Sequence, residues 1–254
     1  MTDDESNVVI LAADLEVVGT PGEEPERLYS VCVTQDPNRK SRARMTEARK
    51  MARAKLVLLG RENCGKTALC VRFITKRFIG EYDHKKEVTY RCRKIVDKEA
   101  TDVEILDTVN KDCVASGATP LESSIKWGDG FLIVYSVTDR SSFEAVARLK
   151  RLIDHIRQSL GIPTVIVANK NDMENGRAVR TEEGQALARD LRCSFFELSA
   201  AESSSSVEAA FNQLIREVRV EFHRHLLAMD KRSRVLQMRH ALKNKLTRSK
   251  TMQW

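Results

Sequence analysis

An apolar run at residues 56–59 passes directly into Gly60-Arg61-Glu62-Asn63-Cys64-Gly65-Lys66-Thr67, and helical spacing begins at Lys66. The spacing GxxxxGK[ST] between a strand and a helix commits this stretch to a loop that closes around phosphate. Gly60 and Gly65 let the backbone wrap closely, so successive N–H groups and the helix N-terminus face the negative charge. Lys66 is expected to reach the β- and γ-phosphates. The Thr67 hydroxyl is expected to ligate Mg²⁺, a hard cation that prefers oxygen. Asp107 closes a strand pattern over residues 103–107 and is expected to orient a water on that metal.

Around this loop the chain alternates short apolar strands with amphipathic helices, which argues for a parallel sheet covered on both faces. Strands are expected at 54–59, 88–96, 103–107, 130–137, 164–169 and 194–198. Helices are expected at 66–75, 142–159, 181–191 and from 206 to about 228. The fold class is thus α/β, a phosphate-loop nucleoside-triphosphatase with a six-stranded, mostly parallel sheet and helices on both faces. The domain is expected at 54–222. Before it, residues 1–53 read as an acidic, then basic extension without regular packing, apart from a β-like fragment at 7–12; residues 223–254 read as a basic tail.

Six cysteines are scattered without metal-ligand spacing, and no apolar segment opens the sequence, so a reduced, cytoplasmic setting is expected. The apolar runs at 131–137 and 163–168 are too short to cross a bilayer but suit strands buried on both faces.

A second site follows from residues 163–168, which deliver Asn169-Lys170-Asn171-Asp172 at a strand's carboxyl end, where parallel-sheet ligands bind. An Asp172 carboxylate can accept from both N1–H and the exocyclic amine of guanine, a donor pair that adenine lacks, and the Lys170 stem can pack beneath the base. Further on stands Ser199-Ala200-Ala201. The phosphate loop, this NKxD element and the serine-alanine turn, in this order, resemble the small GTPases of the Ras superfamily over about residues 54–222. The stretch 73–83 resembles the branch of the Ras-related oestrogen-regulated growth inhibitor and its Ras-like relatives.

The resemblance implies GTP and GDP as ligands with Mg²⁺ as cofactor, and hydrolysis of GTP in signal transduction by a monomer that meets effector and regulator proteins. It implies nucleotide contacts from residues 60–68, Ala68 included, and from Phe78 edge-on to the guanine. Asp107, Asn169, Lys170 and Asp172 are implied as well, as is the backbone of Ser199, Ala200 and Ala201. That turn departs from the family's SAK sequence at its last position.

The switch positions depart further. Where the family carries the Mg²⁺-binding Thr, this chain has Lys85, and where the family reads DTAGQ it has Asp107-Thr108-Val109-Asn110-Lys111. Asn110 adds a side chain where a backbone N–H approaches the γ-phosphate, and Lys111 has no amide with which to orient the attacking water. Glu62 stands where Ras itself has Gly and could crowd an incoming arginine finger. No catalytic residue is therefore assigned; Lys85 and Lys111 occupy the atypical positions. Slow hydrolysis is expected. The alternatives are that Lys85 or Lys111 serves as an internal cationic finger, or that the domain is a nucleotide-binding pseudo-GTPase acting as a non-switching interaction module.

The net charge of +7 is unevenly spread, with Asp and Glu dominating residues 1–27 and Lys and Arg dominating 39–55 and 216–250. Val235, Met238, Leu242 and Leu246 recur at helical intervals among Arg232, Arg234, Arg239, Lys243, Lys245 and Arg248. This pattern over 232–248 describes a basic amphipathic helix and suits an anionic membrane surface, calmodulin or a partner groove. No nucleic-acid motif accompanies it. The final residues, Thr251-Met252-Gln253-Trp254, lack a prenylation cysteine, so any membrane contact is expected to be peripheral.

Overall fold

A computed structural model describes residues 16–17, 53–80, 87–109, 120–159 and 161–250, with backbone alone for 16–17, 120 and 230–250. Seven strands form one sheet: β1 Glu16–Val17, β2 Arg53–Leu59, β3 Val88–Val96, β4 Glu99–Asp107, β5 Gly130–Ser136, β6 Thr164–Asn169 and β7 Ser194–Glu197. Their order across the sheet is β1-β3-β4-β2-β5-β6-β7. Helices α1 Lys66–Thr75, α2 Pro120–Trp127, α3 Arg140–Arg157, α4 Thr181–Asp190 and α5 Ser204–Lys250 cover it.

The apolar strands sort their side chains by parity, as a pleated strand buried on both sides must. Leu56, Leu58, Leu132, Val134, Val165 and Val167 face one core, which is completed by Leu69 and Phe73 of α1 and by Phe211, Leu214 and Val218 of α5. Val57, Leu59, Phe131, Ile133, Tyr135 and Ile166 face the other, against Ile125, Val146, Leu149, Ile153 and Ala188. The Phe73 and Phe211 rings stack with centroids 4.2 Å apart, fastening α1 to α5.

β2 pairs in parallel with β4 on one side and β5 on the other, so the chain changes direction across the sheet at β2. The crevice beyond the carboxyl end of such a strand is where ligands bind in open α/β sheets. The phosphate-loop motif begins there.

Each of the six expected strands is present, with differences at the edges. β4 starts at Glu99 rather than 103 because Asp97 and Lys98, at φ 53° and 68°, turn β3 straight back into an antiparallel hairpin. β1 is a seventh strand, antiparallel to β3 with Glu16 opposite Arg91. The fragment at 7–12 lies outside the described residues. α2 and the 3₁₀ turn Glu174–Gly176 were not anticipated, and α5 runs without a break past 222 to Lys250. Among the described residues no helix is long and apolar enough to cross a membrane.

Candidate nucleotide site

Gly60, at φ 145°, leads the chain out of β2 so tightly that a Cβ there would lie 2.1 Å from the Val134 carbonyl oxygen of β5. Gly65, at φ 90°, presses on the Asn169 side chain, whose Nδ2 would sit 2.3 Å from an added Cβ. No side chain fits at either place. These two glycines and Asn63, at φ 60°, curl the loop into a cradle at the start of α1.

Within the cradle Lys66 is buried, and its Nζ donates to the carbonyl oxygens of Gly60 at 2.9 Å and Arg61 at 2.8 Å. Burial pulls its ammonium below the usual lysine range, offset in part by neighbouring groups that include Cys64, Asp107 and Glu62. The loop thus holds a cation at its centre through its own carbonyls. Thr67 Oγ1 donates to Asp107 Oδ2 at 2.6 Å, joining the first turn of α1 to the end of β4. Thr108 Oγ1 in turn donates to Leu58 O at 2.6 Å and fixes that strand end to β2. A hydroxyl and a carboxylate in contact at the mouth of a phosphate loop are hard oxygen donors, the set that Mg²⁺ takes alongside phosphate and water. The residues present fit that ion.

A cavity of about 370 Å³ opens next to the loop. Asn63, Gly65 and Ala68 form one wall, Asn169, Lys170, Asp172 and Met173 the floor after β6, and Ser199, Ala200 and Ala201 the far side, with Phe78 and Gly80 closing it. Phe78 and Met173 keep 45% and 49% of their surface exposed, a large amount for apolar side chains, and both line the cavity. Lys170 takes φ 68°, a left-handed turn that ends β6.

Asn169 ties the halves together. Its Nδ2 donates to the Cys64 carbonyl oxygen at 2.8 Å and its Oδ1 accepts from the Ala200 amide at 3.1 Å. Ser199 Oγ accepts from the amides of Ala201 and Glu202, at 3.1 and 3.3 Å, and so shapes the turn without the missing lysine.

The structure therefore brings Asn63, Gly65, Ala68, Phe78, Asn169, Lys170, Asp172, Ser199, Ala200 and Ala201 to one cavity. Gly60, Cys64, Lys66, Thr67 and Asp107 hold the loop beside it, whereas Arg61 and Glu62 expose their side chains and contribute backbone carbonyls. Lys85, Asn110 and Lys111 lie outside the described residues. Met173 was not anticipated, although it directly follows Asp172. Among the described residues there is no cluster of three or more His, Cys, Asp or Glu that could hold a metal by itself.

The Ras family profile matches residues 55–220. The human Ras-related and estrogen-regulated growth inhibitor is 44% identical over 170 residues, covering 67% of this chain and 83% of that protein. GTP-binding protein Rit2 of Rattus norvegicus is 42% identical over 165 residues, 65% of this chain and 74% of its own. Ras-like protein family member 11B of Danio rerio is 39% identical over 163 residues, 63% and 67% of the two chains.

Proposed function

The chain belongs to the Ras family and is a Ras-type small GTPase acting in signalling; from that premise we propose that it binds GTP and GDP with Mg²⁺ in the cavity beside Gly65 and hydrolyses GTP slowly. The observation that carries the binding half is Asn169, whose one side chain bonds the phosphate loop at Cys64 and the turn at Ala200. It couples the place for phosphates to the place for a base.

In this reading Asp172 accepts the paired N–H donors of guanine, which excludes adenine, while Phe78 and the Lys170 stem enclose the ring. The amides of the loop and the Lys66 ammonium take the phosphates. Thr67 and Asp107 would hold Mg²⁺, which would supply neutralisation of phosphate charge. Each of these groups orients or neutralises; none moves a proton.

Slow hydrolysis rests on Lys85, Asn110 and Lys111, which replace a metal-binding hydroxyl, a side-chain-free approach to the γ-phosphate and a water-orienting amide. The same three positions favour a second reading, a nucleotide-bound interaction module that does not switch. The domain is assigned to residues 54–222, flanked by the extension 1–53 and the tail 223–254. Through 232–248 the tail meets an anionic membrane surface, which gives a cytoplasmic, peripherally attached monomer.

Denaturing the purified chain and identifying the nucleotide released, then following single-turnover conversion of bound GTP, tests the whole reading. Guanine nucleotide with slow turnover supports it. Nucleotide without turnover supports the non-switching module, and no guanine nucleotide overturns both.

A further inference from the structure

Three hydrogen bonds of Arg72 serve neither core packing nor the phosphate loop. Arg72 lies in the last turn of α1, and its guanidinium donates in two directions: Nη1 to the Lys76 carbonyl oxygen at 3.0 Å, and Nη2 to the carbonyl oxygens of Ala201 at 3.4 Å and Glu202 at 3.3 Å. Its Nε is buried without a hydrogen-bond partner, while the residue as a whole is half-buried and its two Nη atoms make the contacts. Lys76 is the left-handed residue, at φ 64°, that ends α1 and sends the chain towards Phe78. Ala201 is the last residue of the serine-alanine turn. Both Phe78 and Ala201 line the cavity.

We propose that Arg72 is a positioning residue for the base-binding end of the site, bridging the segment that presents Phe78 to the turn that presents Ser199–Ala201 and so setting how tightly bound guanine nucleotide is retained. The inference deepens the proposed function and rests on it.

The chemistry favours arginine in this place. A planar fork spans two acceptors on different segments, whereas an ammonium is a point charge on a flexible stem. The turn also needs an outside support. Ala201 has no side chain with which to pack on a base or cap a carbonyl, and Ser199 Oγ and Asn169 Oδ1 hold only the amides of this turn. Arg72 donates to the carbonyls at its end, those of Ala201 and Glu202, while the Ser199 carbonyl accepts from the Ser203 amide. The rest of α1 is independently secured, with Phe73 stacked on Phe211, Lys94 Nζ donating to Phe73 O at 3.0 Å and Lys76 paired with Glu208. Loss of the guanidinium therefore loosens the bridge rather than the helix.

The test is the rate at which full-length protein, loaded with fluorescent GDP, releases it into excess unlabelled GDP, for the wild type, Arg72→Met and Arg72→Lys. Retention of GDP by the wild type reports on the proposed function; the ratio of variant to wild-type rates reports on Arg72. Methionine keeps the stem and removes every donor, and the loss of weak bonds to carbonyls predicts release about fivefold faster. Lysine restores the charge but not the fork, and is expected to release GDP nearly as fast as methionine. The acceleration produced by chelating Mg²⁺ stays in the wild-type proportion in both variants, because the bridge acts at the base and not at the phosphates. Release by Arg72→Met within twofold of wild type, or wild-type retention by Arg72→Lys, overturns the proposal.

Discussion

Asn169 Nδ2 lies 2.8 Å from the carbonyl oxygen of Cys64, a residue 105 positions earlier in the chain, and both groups are buried. This bond makes the phosphate loop and the base loop one object, since the same amide accepts from Ala200 through Oδ1. Asn169→Ala leaves a carbonyl and an amide unsatisfied in the interior, at a cost of about 1–3 kcal/mol for each. Thermal unfolding of the nucleotide-free protein and GDP release should both worsen. The release rate should worsen more, because the wild-type contacts are aligned for the ligand.

Thr67→Ala removes the hydroxyl that donates to Asp107 at 2.6 Å. In the wild type, chelating Mg²⁺ is expected to accelerate GDP release by roughly 10- to 100-fold, the weight of one or two bonds to a charged group. The variant should release GDP rapidly with or without chelator. Stopped-flow release with and without EDTA checks it, and a variant as responsive to EDTA as wild type would remove Thr67 from the metal's shell.

Stability should fall in alkali through the thiols. The Cys70 thiol is pushed well above its open-chain value of 9.0, chiefly by burial and then by the Asp107 charge. The folded chain therefore keeps a proton that the unfolded chain gives up above pH 9, and stability present below that value is lost as pH rises, at about 1.4 kcal/mol per unit for one group. Lys66 acts in the opposite sense: burial lowers its ammonium, so the folded chain releases its proton first and the penalty fades as pH climbs towards 10.5. Urea unfolding at pH 8, 9 and 10 should show a shallower decline for Cys70→Ala and a steeper one for Lys66→Met than for the wild type.

The legible parts of this protein were those where one local pattern has one physical solution. The chain from 56 to 67 could be read because the two glycines are required by contacts a side chain would obstruct. β5 and β6 could be read because strands buried on both faces carry nearly continuous apolar runs, here 131–135 and 165–168. The β3–β4 hairpin escaped notice because its left-handed turn is built from Asp97 and Lys98, not from the glycine that usually marks one. α2 is only eight residues long, too short for a helical period to stand out, and β1 exists through its pairing with β3 rather than through any strand propensity of two residues. Motif spacing pointed to Asp172 and Ser199, and both line the cavity beside the loop. Arg72 carries no motif, and its role arises only where α1 and the turn before α5 meet.

The tail offers a separable test. Arg234→Glu with Arg239→Glu reverses charge on the basic pattern over 232–248, and each basic residue near an anionic surface contributes about 1 kcal/mol. Sedimentation with phosphatidylserine vesicles should show binding by the wild type and none by the double variant, with GDP retention unchanged. Binding that survives the reversal removes the electrostatic explanation.

Hydrolysis is the property most exposed to the sequence departures, and it should be recoverable. Replacing Lys85 by Thr, Asn110 by Gly and Lys111 by Gln restores at each sequence position the residue type that the proposed function requires there, a metal-binding hydroxyl, a residue without a side chain and a water-orienting amide. The three act on one transition state, so single changes should give little and the triple variant a disproportionate gain, about tenfold or more in single-turnover rate. The nucleotide-binding residues are untouched, so GDP release should move far less than turnover. A triple variant no faster than wild type would mean that these positions do not limit the reaction. A wild-type rate already equal to that of ordinary Ras-type domains would mean instead that Lys85 or Lys111 stabilises the leaving charge itself, and then changing that lysine alone to methionine should slow the step.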